Sequence, residues 1–295
     1  MTAREDAARM ADPSYFAKIA PHLSLDGPIA PPLPLHAPVG RRLADDLRRD
    51  GYFVHDPGFD PALARRLRDG VMLLRRAGLP AVFIWMYADT WSLVARHHAI
   101  WQATMGENYR VMPCFWAWHI PIGEQHGGWA VHRDRTKGPP NVGAGGRPLA
   151  LSAWIPLTSA TPENGCMYVV PAPWAPERAK DIELANVRAL PASPSAVLAW
   201  RQDVLHWGGR SSNYADEPRI AIGIELQRGD VPAFDQPLLD AWKLPSYRHR
   251  LAFLGANLWR YRARTVKALH PLAKLLIATA PELEHTFPDA PMGSA

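Results

Sequence analysis

Only two cysteines, Cys114 and Cys166, occur in 295 residues. That is too few for a disulfide framework or a cysteine-built zinc site, so both read as buried thiols. No stretch reaches the roughly 18 consecutive apolar residues that a membrane-spanning helix needs. The opening MTAREDAARM lacks the basic-then-apolar order of a signal peptide. No internal repeat is visible, and no nucleic-acid-binding motif accompanies the basic residues. The expectation is a cytoplasmic protein that engages neither membrane nor nucleic acid.

What is present is material for a core: 47% hydrophobic residues and 12 Trp. This length suits one domain over residues 1–295. The net charge of +5 is uneven. Lys243, Arg248, Arg250, Arg260, Arg262, Arg264, Lys267 and Lys274 fall in a stretch without an acidic residue. Such a run can steer an anionic substrate or a negatively charged carrier, and its blander reading is a solvated helix face.

Residues 27–40, GPIAPPLPLHAPVG, predict an extended connector after a short N-terminal helical piece, the two making up 1–40. Residues 41–109 read as helical support. Leu43 and Leu47 mark a helix running into a short strand at GYFVHD, Leu63, Leu67, Val71 and Leu74 a second, and residues 90–104 a further one. Over 110–230 the texture changes to short runs rich in Val, Ile, Trp and Tyr between Gly, Pro and Asn clusters, the pattern of an antiparallel sandwich or barrel. Residues 231–295 return to helix, with Leu258, Val266, Leu269, Leu272 and Leu276 on one side and Pro271 as an expected kink.

Within the β-rich part lies His132-Arg133-Asp134. On extended chain, residues two apart share a face, so an imidazole and a carboxylate can meet one metal. With 12 His and 28 acidic residues, about one such His-x-acid match arises by chance, so its company decides. The segment AVLAWRQDVLHWGG brings His206 to a strand end, completing two nitrogens and one oxygen. That is the facial triad of non-haem iron(II) oxygenases. Arg219 opens the apolar strand RIAIGIELQ, an odd place for a cation unless an anion such as a dicarboxylate meets it inside the barrel.

At these residues the chain resembles the phytanoyl-CoA dioxygenase family, from about residue 110 to 228, with weaker similarity near Asp50-Gly51-Tyr52. Four elements match in order: HRD, LSAWIPLTSATPENGCMYVVP with Trp154, Asn164, Gly165 and Pro171, the histidine of DVLHWGG, and NYADEPRIAI. The resemblance implies a mainly β fold, a double-stranded β-helix (jelly-roll, cupin-like) core with flanking N- and C-terminal helices. It implies Fe(II) on His132, Asp134 and His206, 2-oxoglutarate on that iron with its far carboxylate on Arg219, and O2 as oxidant. Trp154 and Ser152 are implied neighbours of the 2-oxoglutarate pocket. The implied reaction couples decarboxylation of 2-oxoglutarate, giving succinate and CO2, to hydroxylation of an unactivated carbon of a small molecule, as in specialised metabolism. Asp134 argues against a halogenase, whose halide needs the position a carboxylate fills. Members usually approach the first ligand as Trp-His-Gln-Asp, whereas this chain has Val131-His132-Arg133-Asp134 and a slightly longer loop from His206 to Arg219. Arg133, alternating with the ligands, should point away from the metal.

For the substrate wall the sequence offers Trp116 and Trp118 on one strand face, with His119 opposite, and the loop residues Gln125, His126 and Trp129. Arg135 and Lys137 are candidates for an anionic substrate group. Packed core and exposed loop are the plain readings of the same residues, and His97-His98 on a helix read as non-ligands. Desaturation, epimerisation or cyclisation can follow from the same centre. A cupin-type enzyme without a keto acid and a non-catalytic binding module are the competing readings. Oligomeric state is not legible.

Overall fold

The computed structural model describes residues 2–57, 61–125, 127–135 and 141–287. Eight strands form two antiparallel sheets. They are β1 (Tyr52–His55), β2 (Tyr109–Ile120), β3 (Ala150–Pro156), β4 (Met167–Val170), β5 (Arg188–Leu190), β6 (Val197–Arg201), β7 (Leu205–Gly208) and β8 (Arg219–Arg228). The larger sheet runs β1-β6-β3-β8-β2 and the smaller β5-β4-β7. The small sheet therefore faces the large one as the second wall of a double-stranded β-helix.

Alternation along the strands decides what fills each space. Ile220, Ile222, Ile224 and Leu226 of β8, with Leu151, Ala153 and Ile155 of β3, pack with the helices. Ala221, Trp154, Leu198 and Trp200 pack instead with Met167 and Val169 of the small sheet. Both faces of the large sheet are thus covered, which is why β3 and β8 read as nearly continuous apolar runs.

The helical layer comprises α1 (Ala3–Ala11), α2 (Pro13–Ile19), α3 (Ala37–Arg49), α4 (Ala62–Arg76), α5 (Ala88–Arg96), α6 (His98–Met105), α7 (Tyr247–Arg260) and α8 (Leu269–Ile277). No helix among the described residues is long and apolar enough to cross a membrane. The helix expected over 90–104 is two, broken at His97. The Val94 carbonyl accepts from the His97 amide at 3.2 Å and the Trp101 indole at 3.0 Å, so it does not continue the α-helical ladder to residue 98. The tail is also two helices rather than one kinked helix. Pro271 sits in the first turn of α8, where a missing amide proton breaks no intrahelical bond. Val266, expected on the apolar side, is 67% exposed between the two.

The basic run in this tail is largely engaged within the fold. Arg248 pairs with Glu282, and Arg260 with Asp235 at 2.5 Å. Arg262 and Lys274 lie over the Trp259 ring. Arg250 is fully buried and donates to the Leu25 carbonyl at 2.6 Å and to Asp26 at 3.2 Å, tying α7 to the segment after α2.

One side chain joins α7 to the site-bearing strand. The register of β2 on β8 slips between Val111 and Phe115, a bulge containing Pro113, which has no amide to give to the ladder. Asn257 replaces the lost pairing, accepting from the Phe115 amide at 3.1 Å and donating to the Pro113 carbonyl at 2.9 Å. Asn257→Leu strands both backbone groups in an apolar interior and is expected to cost about 3 kcal/mol. The check is urea unfolding, with a lower midpoint at unchanged slope; a loss below about 1 kcal/mol would show the bulge to be independent of α7.

Candidate metal centre

The loop after β2 is stitched to β7 by a two-residue backbone bridge. The His132 amide donates to the His206 carbonyl at 3.1 Å, and the His206 amide to the His132 carbonyl at 3.0 Å. This brings the two rings to 4.3 Å between centroids. Each Nδ1 contacts the carbonyl of the residue two positions earlier, Ala130 at 2.7 Å and Val204 at 3.0 Å. Those contacts leave both Nε2 atoms for a common point. They lie 3.4 Å (His132) and 3.5 Å (His206) from Asp134 Oδ1. The candidate ligand atoms of His132, Asp134 and His206 all fall within 4.8 Å of one another.

The carboxylate is oriented from behind. Ser152 Oγ donates to Asp134 Oδ2 at 2.6 Å and Trp200 Nε1 to the same oxygen at 3.1 Å. Ser152 and Trp200 are cross-strand partners on β3 and β6, so the ladder itself sets both donors side by side. Oδ2 is thereby occupied and Oδ1 is turned to the imidazoles. Burial works to raise the Asp134 carboxyl, but His206, His132 and the Ser152 bond outweigh it and hold it below the ordinary carboxylate range. Burial, against the pull of Asp134, keeps the His206 imidazole below its ordinary value. A carboxylate and a neutral imidazole are the ligand forms. His132 Nε2 is buried without a hydrogen-bond partner. An orphaned nitrogen facing a carboxylate and a second imidazole fits a divalent cation, and the N2O donor set suits iron(II).

Arg219, at the start of β8, is only 2% exposed. Its guanidinium donates to the carbonyls of Gly165 and Gly127, the latter at 2.6 Å, and no carboxylate among the described residues pairs with it. Burial lowers its pKa to about 10, so it stays a cation at neutral pH. Gly165, the glycine of Glu163-Asn164-Gly165, has φ 82°, a conformation that suits glycine. Gly208 lies under the guanidinium, where a Cβ would come within 2.7 Å of Nη2.

Between these groups opens a cavity whose empty space, counted together with its opening to solvent, is about 560 Å3. Of the residues expected here, His132, Asp134, His206, Arg219, Ser152, Trp154, Trp116, Trp118 and Trp129 all line it. Gln125 does not; it is exposed and donates to the Gly123 carbonyl at 3.2 Å, because the loop turns outward before Gly127. Arg135 stands behind the wall, bonded to Gln202 at 3.0 Å with its guanidinium 3.8 Å from the Phe234 ring centre. Arg133 points away from the ligands, to the carbonyls of Asp203, Glu177 and Pro176. His126 and Lys137 lie outside the described residues.

Sequence reading missed Trp200, Glu225, Cys114 and Tyr261, all in the lining. Alternation could have found two of them: Glu225 shares the face of Arg219 on β8, and Trp200 falls opposite Ser152. Trp200→Phe keeps the ring and removes one of the two bonds on Asp134 Oδ2. It is expected to weaken divalent-metal binding by about tenfold. Titration with Co(II) checks this, and an unchanged affinity would mean that Ser152 alone orients the carboxylate.

Comparison with known proteins agrees with this architecture. Residues 80–173 match the family model of phytanoyl-CoA dioxygenase (PhyH). That segment contains His132, Asp134, Ser152 and Trp154, while His206 and Arg219 lie beyond it. No curated protein matches the chain in sequence. The solved structure of the non-heme monooxygenase ThoJ in its apo form is similar at a TM-score of 0.56 and 19% identity, over 81% of this chain and 99% of that one. The epimerase SnoN, in complex with Fe3+, alpha ketoglutarate and nogalamycin RO, is similar at a TM-score of 0.52 and 18% identity, over 70% of this chain and 94% of that one. At such identities the likeness establishes a shared fold. Residues 80–173 thus match the phytanoyl-CoA dioxygenase family model, within a double-stranded β-helix fold shared with these solved structures.

Proposed function

We propose that the protein is an Fe(II)- and 2-oxoglutarate-dependent oxygenase that hydroxylates an unactivated carbon of a small molecule. The observation that carries this reading is the convergence of His132 Nε2, His206 Nε2 and Asp134 Oδ1 beside a buried arginine that has no carboxylate partner among the described residues. Iron(II), 2-oxoglutarate and O2 would supply the oxidising power, with succinate and CO2 as co-products. His132, Asp134 and His206 hold the metal on one side and leave neighbouring positions open. Arg219 pairs with the far carboxylate of the co-substrate, and Trp154 and Ser152 wall its pocket. The cavity beside these groups has mostly apolar walls, with seven of the lining residues Phe, Trp or Tyr, as suits a small-molecule substrate.

SnoN, with which this fold is shared, is an epimerase holding iron and alpha ketoglutarate. Epimerisation, desaturation or cyclisation is therefore the alternative outcome of the same centre. An anionic or carrier-linked substrate loses its main support, because the basic tail is largely engaged by internal partners. We read residues 1–295 as one oxygenase domain and place it in the cytoplasm, where the free thiols Cys114 and Cys166 suit a reducing compartment.

The purified protein, loaded anaerobically with Fe(II) and 2-oxoglutarate, is expected to show the weak visible charge-transfer band of the chelated keto acid. A folded, iron-loaded protein without that band would sink the reading. Arg219→Leu is expected to raise the 2-oxoglutarate concentration needed for half-maximal band intensity by about 10- to 100-fold, the value of a charged hydrogen-bonded pair. A keto-acid-independent cupin enzyme would be indifferent to that substitution.

A further inference from the structure

We propose that Glu225 anchors the prime substrate and selects one that carries a protonated amine on an apolar, ring-sized body. The inference rests on the reading of the cavity as an oxygenase site and names its substrate class.

The strand β8 presents Arg219, Ala221, Gly223 and Glu225 to the same interior. Arg219 and Glu225 are six positions apart, about 20 Å along an extended strand. The metal-binding cluster lies between these opposite charges, since Arg219 abuts Gly208 on β7 and Glu225 pairs across the ladder with Ser152, the donor to Asp134. One end of the cavity is thus built for an anion. The other ends in a carboxyl.

That carboxyl has donors but, among the described residues, no cation in contact. Cys114 Sγ donates to Glu225 Oε1 at 3.0 Å and Gln202 Nε2 to Oε2 at 2.6 Å. Each oxygen keeps a further lone pair for a ligand. Arg135 reaches only as far as Gln202 and Phe234, and Arg260 is committed to Asp235. No cation among the described residues lies within ion-pair distance of Glu225. Arg135 and Arg260 attract it without contact, while Asp134 and Asp235 repel it. Burial, reinforced by Asp134, pushes the Glu225 carboxyl up to about 7. Its cavity-facing side is left without a contacting cation among the described residues.

The walls favour the same ligand. Trp116, Trp129 and Tyr261 cluster over the cavity, with ring centres 5.0 Å apart for Trp116–Tyr261 and 4.6 Å for Trp129–Tyr261. Tyr261 also meets Cys114 Sγ at 3.2 Å, which places it next to Glu225. Aromatic faces attract cations and cover apolar rings. A substrate ammonium would complete the ion pair, an anion would be repelled, and a neutral isostere would gain only the apolar contacts.

The test uses the full chain loaded anaerobically with Fe(II) and 2-oxoglutarate, its visible band recorded on the same sample. Calorimetry then compares three matched probes: phenethylamine with phenethyl alcohol, tryptamine with tryptophol, and cyclohexylamine with cyclohexanol. In at least one pair the amine is expected to bind about tenfold or more tighter, and E225Q to abolish that preference while leaving the alcohol unchanged. No amine preference in any pair overturns the proposal, as does a preference that E225Q retains. The wild-type pairs decide even where E225Q fails to fold. A missing visible band beside an intact amine preference sinks the oxygenase reading alone.

Discussion

The site depends on one backbone bridge, His132 to His206, which locks a long loop to a strand of the small sheet through two amide–carbonyl bonds. Two imidazoles on separate segments would otherwise have independent positions. The bridge makes them neighbours, and the carbonyl two residues back in each segment sets which nitrogen points inward. Neither ring needs a side-chain partner for its orientation. The protein spends its side-chain donors on Asp134 instead, with Ser152 and Trp200 on one oxygen, so the third ligand is fixed by the large sheet. Three ligands are thus held by two sheets and the loop between them, and each is oriented before a metal arrives.

This division explains what the sequence could and could not reveal. His132, Asp134, His206 and Arg219 were legible because each is a polar group in an apolar or strand-end setting, and because their order along the chain is informative. The strand content was legible from two-residue alternation and dense Val, Ile and Trp. What escaped was decided by particular contacts and positions rather than by pattern. The break at His97 follows from the Trp101 indole reaching Val94, and the break before α8 follows from where Pro271 falls, neither of which periodicity reports. Gln125 and Arg135 failed as pocket residues because a loop's direction is set by what it packs on. Glu225 was in plain view within RIAIGIELQ, but its burial became meaningful only once β8 was seen to have both faces covered.

Two of the residues at the Glu225 end of the cavity lie beyond residue 173, where the family-matched segment ends. Glu225 is on β8 and Tyr261 immediately follows α7, while Trp129 belongs to the loop. Helix α7 is fastened at three levels: Asn257 to the β2 bulge, Arg250 to Leu25, and the Tyr247 hydroxyl to the Met10 carbonyl at 2.6 Å. The N-terminal helices therefore brace a wall of the cavity without touching the metal cluster. The matched segment stops before His206, Arg219, Glu225 and Tyr261, so the family likeness does not by itself define the Glu225 end of the cavity. In this chain that end is an aromatic cover beside a carboxyl with no contacting cation among the described residues, so the proposed selection is by the charge of the substrate rather than by its similarity to a family member's.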